Sequence, residues 1–254
     1  MRPFGEISDS ALQGIKLVSF DADGVTVEKG TRVLEKDDKL IVETKRISQT
    51  LLEKINRLKE KFYVNITSGR SLIYLNRIYG QILWHRASLQ AENGVFTLIN
   101  GEVLQHEKLT FQELDRVEEI RREIRTLARG NENILGFEPK QFLITVHCKH
   151  EEPRILDIVR RIDEGGEFYT YWNDEAYDIF LKRFTKGTGL EFLVDRLGIK
   201  LSEVLFVGND VNDDTIVQTA GLSVTTDRER LKGDFYTERR LQVGGEEVLD
   251  RLLQ

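Results

Sequence analysis

Two aspartates one residue apart, Asp21 and Asp23, follow the apolar run Ile15-Lys16-Leu17-Val18-Ser19-Phe20 and stand just before Gly24. Strand side chains alternate between faces, but a turn at Gly24 lets both carboxylates look into a cleft beyond the strand. Open α/β sheets take their ligands at that carboxyl edge. Paired acids in such a place suit phosphoryl transfer. Asp21 would be the nucleophile, forming an aspartyl-phosphate. Asp23 would protonate a leaving alcohol and later deprotonate water. Because carboxylate and phosphate repel, a cation must sit between them. Mg²⁺ suits this, held by a few oxygen ligands, several waters and the substrate phosphate.

Three more polar clusters fall where the pattern ends a strand or opens a helix: Ser68-Gly69, Lys186-Gly187 and Asn209 to Asp214. Ser68, Gly69, Lys186 and Asn212 are candidates to hold phosphate oxygens. Lys186 would also balance the charge of nucleophile and phosphate in a water-poor site. The candidate metal ligands are Asp21, Asp23 (or its backbone carbonyl) and the amide oxygen of Asn209, with Asp210 and Asp213 contributing directly or through water. Each cluster alone has a plainer reading. Asp23-Gly24 suits a turn, Ser68 and Asn209 suit a turn or a helix cap, and a lone lysine is usually solvated. Their shared placement at strand ends, in this order, favours one site.

The elements that must position these residues follow a strand–helix rhythm. Apolar runs predict strands over 15–20, 62–67, 87–91 and 204–207. Spacings of three and four predict helices over 37–60, through Leu72, Leu75 and Ile78, and through Leu190, Leu193 and Leu197. Strand–helix–strand order implies parallel pairing. The rhythm changes after Glu92-Asn93-Gly94. A hairpin across Asn100-Gly101, a charged helix over 111–129, a strand over 142–147, a helix over 153–162 and strands over 168–172 and 177–181 read as a second, α+β domain. The expected division is an α/β core of residues 1–93 and 182–254 with 94–181 inserted. Within the insertion, Lys140 of Glu138-Pro139-Lys140 is a candidate for an anionic substrate, or else a surface lysine. His147 reads as a strand residue, and Trp172, Asn173 and Asp174 are candidates to touch a sugar or else an aromatic strand followed by an Asn-Asp turn. Arg70 is a candidate partner for a core carboxylate.

This arrangement resembles the haloacid dehalogenase superfamily of phosphatases. The first family motif, Asp-x-Asp-Gly-Thr/Val, matches Asp21 to Val25. The second matches Ser68-Gly69-Arg70, the third Lys186-Gly187, and the fourth, Gly-Asp-x-x-Asn-Asp, matches Gly208 to Asp213 with Asn209 in place of the usual acid. The resemblance spans essentially the whole chain and implies a Rossmann-like parallel-sheet core. An insertion between the second and third motifs resembles the type-two, α+β cap of sugar-phosphate phosphatases, phosphoglycolate phosphatase and phosphomannomutase. In that family such caps close over the core and select substrate. The expectation is an Mg²⁺-dependent phosphomonoesterase acting on a small phosphorylated metabolite such as a sugar phosphate. The alternatives are a phosphosugar mutase using the same aspartate and a silent binding protein on the same fold. Asn209 keeps an oxygen ligand but removes one negative charge.

Bulk properties narrow the classes further. The 254 residues carry 37 Lys+Arg against 43 Asp+Glu, a net charge of −6, which argues against a nucleic-acid partner. Cys148 is the single cysteine, so no intrachain disulfide forms, and a cytoplasmic setting fits. Met1 to Gly14 has no apolar signal-peptide core, and no apolar run is long enough to span a membrane. Nothing in the composition fixes an oligomeric state.

Overall fold

Leu17–Asp21 forms a wholly buried strand between two parallel neighbours, Val204–Gly208 and Tyr63–Thr67. Strands covered on both faces read as largely apolar runs rather than as alternation, a pattern Val204–Gly208 keeps and Ser19 and Asn65 interrupt in the other two. The computed structural model describes residues 1–36 and 38–254. They divide into two units: Met1–Gly30, Lys45–His106 and Thr185–Gln254 make the first, Thr31–Thr44 and Glu107–Phe184 the second.

In the first unit, the described residues form a nine-stranded sheet. From one edge its order is Arg2–Pro3, Phe235–Tyr236, Leu222–Thr225, Val204–Gly208, Leu17–Asp21, Tyr63–Thr67, Ala87–Ala91, Phe96–Ile99 and Glu102–Gln105. Helices cover both faces. Val18 and Phe20 pack with Leu51, Leu52 and Ile55 of the helix Gln49–Leu58 and with Val248, Leu249 and Leu252 of Leu241–Leu253. Leu17 and Phe206 pack on the opposite side with Leu190, Leu193 and Val194 of Lys186–Leu197. A buried polar ladder crosses the sheet and pins its register. Asn65 donates to Ser19 at 2.9 Å and to Gln90 at 3.0 Å, and accepts from Ser88 at 2.8 Å.

The same ladder fixes the helix that carries Lys186. Gln90 donates to the Gly189 carbonyl at 2.6 Å. A Cβ on Gly189 would lie 2.6 Å from the Gly94 Cα, so two glycines allow this close approach. Thr185 caps the helix by accepting from the Thr188 amide at 3.1 Å, and left-handed Gly198 ends it. Lys186 is thereby the first residue of a helix anchored to the sheet.

The second unit has a four-stranded antiparallel sheet in the order Phe168–Trp172, Ala176–Leu181, Ile144–Cys148, Ile134–Phe137. The helix Phe111–Ala128 opens on a capping box between Thr110 and Glu113 and buries Val117, Ile120 and Ile124. Pro153–Ile162 buries Ile155 and Val159.

Three sequence expectations are corrected. The helix expected over 37–60 is a hairpin, Thr31–Lys36 with Lys39–Thr44, followed by the shorter helix Gln49–Leu58; at residue 37 the expectation lies outside the described residues. The β-branched stretch Ile41-Val42 pairs with Leu34 and Val33, and Ser48 starts the helix later by accepting from the Leu51 amide. The hairpin Phe96–Ile99 and Glu102–Gln105 belongs to the first unit, because Phe96–Ile99 adds antiparallel to Ala87–Ala91. The units therefore change at 106/107 and 184/185 rather than at 93/94 and 181/182. Conversely, Thr31–Thr44 falls in the second unit, where Glu35 and Val33 lie against Gly136.

Candidate active site

Asp21 ends its strand, and its carboxylate is fixed from two sides. Oδ1 accepts from the Ala22 amide at 2.8 Å and from Lys186 Nζ at 2.8 Å. Lys186 is 1% exposed and reaches Asp213 Oδ1 at 2.5 Å as well. Asp213 in turn accepts on Oδ2 from the amides of Asn209 at 2.9 Å and Asp210 at 3.3 Å. Burial foremost, then the neighbouring Asp213, pushes the Asp21 carboxyl up to about 7 against the pull of Lys186. Burial alone would lower Lys186, but Asp21 and Asp213 outweigh it and hold its ammonium firmly charged.

Beyond Asp21 the chain turns tightly. Gly24 has φ +79°, and the Ala22 carbonyl accepts from the amides of Thr26 at 3.0 Å and Val27 at 2.9 Å. Thr26 locks this loop to Tyr79, hydroxyl to hydroxyl, at 2.7 Å. Asp23 is gripped side-on by Arg70, with Nε donating to Oδ2 at 2.6 Å and Nη2 to Oδ1. The expected pairing of Arg70 with a core carboxylate is thus present.

Asn209 is fully buried. Its partners orient the amide with the nitrogen donating to Asp21 Oδ2 at 3.2 Å and to the Asp23 carbonyl at 3.0 Å, and the oxygen accepting from Lys29 Nζ at 3.2 Å. One carboxylate oxygen, one main-chain carbonyl and one side-chain amide thus converge on one point. Turned so that its oxygen faces this point, the Asn209 amide would complete a set of three oxygen donors that suits a hard cation such as Mg²⁺, with water and phosphate filling the rest of the shell. Gly24 leaves room beside them, since a Cβ there would lie 2.4 Å from a terminal atom of the Asn209 amide. Among the described residues no three His, Cys, Asp or Glu side chains gather as a metal cluster.

The other expected ligands are engaged elsewhere. Asp210 gives Oδ2 to Lys29 at 2.6 Å and Oδ1 to Arg230 at 2.8 Å and to the Val211 amide at 2.8 Å. The Asp213 carboxylate holds Lys186, and the Asp23 carboxylate holds Arg70. Asn212, on the turn Val211–Asp213, is exposed. Lys29 and Arg230 carry no sequence signal that would have placed them here.

Ser68 is buried one residue past the strand Tyr63–Thr67, whose Thr67 is the register partner of Asp21. Its hydroxyl accepts from the Arg70 amide at 3.2 Å, leaving its own hydrogen to donate. Thr67 Oγ1, Ser71 Oγ and Asn93 Oδ1 are buried nearby along this turn, with no hydrogen-bond partner among the described residues. The Asn93 amide donates to the Ser68 carbonyl at 3.1 Å. Buried hydroxyls without acceptors are a ready lining for an oxyanion.

In the second unit, Lys140 is not a solvated lysine. Its Nζ contacts Thr145 Oγ1 at 2.5 Å, Glu138 at 3.1 Å and Asp178 at 3.6 Å, and His147 meets Glu138 at 2.8 Å. Burial would raise Glu138, but Lys140 and His147 outweigh it and hold the carboxyl at about 2. Asn173 donates to Asp178 at 3.1 Å.

The sequence matches the profile of the haloacid dehalogenase-like hydrolases over residues 33–164 and 129–228. The chain belongs to that family. It is similar to the phosphoglycolate phosphatase of Picrophilus torridus, 28% identical over 213 residues, covering 82% of this chain and 78% of the relative. The phosphoglycolate phosphatase of Methanopyrus kandleri is 27% identical over 164 residues, covering 63% and 68%. The solved structure of a trehalose-6-phosphate phosphatase related protein covers 94% of this chain and 97% of its own, with a TM-score of 0.68 at 16% identity. That likeness is one of fold, an α/β core with a cap. The expected enzyme class, a phosphatase of this superfamily, is borne out by the family match and the two relatives. No helix among the described residues is long and apolar enough to cross a membrane.

Proposed function

We propose that this haloacid dehalogenase-like enzyme is an Mg²⁺-dependent phosphomonoesterase that hydrolyses a small phosphorylated metabolite through a phospho-Asp21 intermediate. One observation carries the reading. Asp21 is buried at the strand end, with Oδ1 held by Lys186 and Oδ2 facing the Asn209 amide, which also meets the Asp23 carbonyl. In the first half-reaction an Asp21 oxygen bonds to phosphorus as the ester P–O bond breaks, and Asp23 gives its proton to the leaving oxygen. In the second, water attacks phosphorus and passes a proton to Asp23. The Asp21–phosphorus bond then breaks and inorganic phosphate departs. To serve in these steps Asp23 must swing off Arg70. Lys186, Ser68 and the amide of Gly69 bind the phosphate oxygens, and Asp213 positions Lys186. Bound at Asp21, the Asp23 carbonyl and Asn209, Mg²⁺ would supply charge that lets carboxylate and phosphate approach.

The names of the two relatives favour a phosphorylated small acid such as phosphoglycolate within the wider sugar-phosphate class. The Glu138–Lys140–Asp178 cluster offers charged and hydroxyl-matching groups, but its lysine is already matched by two carboxylates, so it does not present a bare cation. Phosphate release from a panel of phosphorylated acids and sugars, with Mg²⁺ and with chelator, tests the reading. Chelator-sensitive release, reduced roughly a thousandfold or more in Asp21→Asn, is expected. Release that survives this substitution, or an isomerised product without free phosphate, would overturn it.

A further inference from the structure

We propose that Lys29 is a resident cation of the Asn209 site and competes with the divalent ion for it. The inference takes its metal site from the reading above, but concerns a residue that none of the four motifs contains. Lys29 Nζ lies 2.6 Å from Asp210 Oδ2 and 3.2 Å from the Asn209 amide oxygen. Its Cε stands 2.9 Å from where a Gly24 Cβ would be, so the side chain lies along the turn that follows Asp23.

An amide has one oxygen. Here Lys29 takes it, while the amide nitrogen faces Asp21 and the Asp23 carbonyl. To ligate a metal between those two groups, the Asn209 amide must turn over, which aims its NH₂ at the Lys29 ammonium. Two donors cannot satisfy each other. Metal ligation by Asn209 and its contact with Lys29 therefore exclude one another. An aspartate at 209 would have a second oxygen and could serve both.

Charge points the same way. Four carboxylates face four cations here: Arg70 meets Asp23, Lys186 meets both Asp21 and Asp213, and Lys29 and Arg230 both meet Asp210. A dication entering this edge meets no net negative charge until one of the cations withdraws. Arg70 and Lys186 are buried, whereas the Lys29 side chain is 37% exposed and can swing into water. Arg230, 39% exposed, is the second cation on Asp210, and Lys29 is the one in contact with the Asn209 oxygen.

The test is a titration of the purified full chain with Mn²⁺ at fixed ionic strength, reading free Mn²⁺ by electron paramagnetic resonance. Lys29→Gln should bind Mn²⁺ roughly three- to tenfold more tightly than wild type, as expected for removing one nearby, partly screened charge. Lys29→Arg, which keeps the charge, should stay near wild type. Asn209→Asp should tighten binding, and the gain from Lys29→Gln should shrink in that background. Metal-free melting temperatures check that each variant is folded. Equal or weaker binding by folded Lys29→Gln overturns the proposal, as does tightening by Lys29→Arg equal to that by Lys29→Gln, or no Mn²⁺ binding by any variant. The phosphatase reading fails separately, by the absence of metal-dependent phosphate release from a wild type that binds Mn²⁺.

Discussion

Asp21 differs from the other carboxylates at its strand edge in what holds it. Arg70 grips both oxygens of Asp23, while Lys29 and Arg230 divide those of Asp210. Asp213 is met by Lys186 and two main-chain amides. Asp21 has a cation only on Oδ1, and burial pushes its carboxyl to about 7, above the ordinary 3.8. An acid whose folded pKa is raised favours folding below its unfolded pKa, and that contribution is lost as pH rises through the folded value. In chelator, wild type should therefore lose melting temperature relative to Asp21→Asn as pH rises from about 4 through about 7. Parallel curves for the two proteins would show that Asp21 does not titrate in this window.

At the scale of elements, the site depends on how the helix Lys186–Leu197 is seated against the segment after Ala87–Ala91. Gly189 and Gly94 meet so closely that a Cβ on Gly189 would lie 2.6 Å from a main-chain carbon. The Gly189 backbone cannot yield without shifting the helix that begins at Lys186. Gly189→Ala should cost about 1–3 kcal/mol, in the range of overpacked cores, and should lower phosphate release in the protein that still folds. An unchanged urea midpoint would show that the two segments can part without cost. The strands that end at Asp21 and Thr67 and the helix that starts at Lys186 were legible in the sequence, because buried strands and capped helices leave strong local marks. The hairpin Thr31–Thr44 was not. Leu40, Ile41, Thr44 and Ile47 match a helical spacing, and only pairing with a second strand decides against it. The division of labour among the carboxylates was equally hidden. It is set by Lys29 and Arg230 meeting Asp210, contacts that sequence spacing does not encode, and by Arg70, expected to meet a core carboxylate, choosing Asp23.

At the scale of the molecule, the chain passes between its two units four times, at 30/31, 44/45, 106/107 and 184/185. Lys29 lies just before the first passage and Lys186 just after the last, so both lysines of the site are built by segments adjoining these crossings. The strand that ends at Asp21 and the segments at the chain crossings nevertheless differ in protection. Leu17–Asp21 is buried at every residue and hydrogen-bonded on both sides, whereas in the paired strands Thr31–Lys36 and Lys39–Thr44 only Val33 is buried. Local opening needs little free energy where few apolar groups are covered and the backbone hydrogen bonds face water. Hydrogen exchange followed by mass spectrometry should therefore show peptides from Thr31–Thr44 exchanging well before those from Leu17–Asp21, Val204–Gly208 and Tyr63–Thr67, which should exchange together and last. The three central strands are paired in one register and covered on both faces, so they should open as a unit. If Tyr63–Thr67 exchanged as early as the hairpin, the buried ladder from Ser19 through Asn65 to Gln90 would not be what locks the sheet, and Asp21 would stand on a far less rigid platform than its contacts imply.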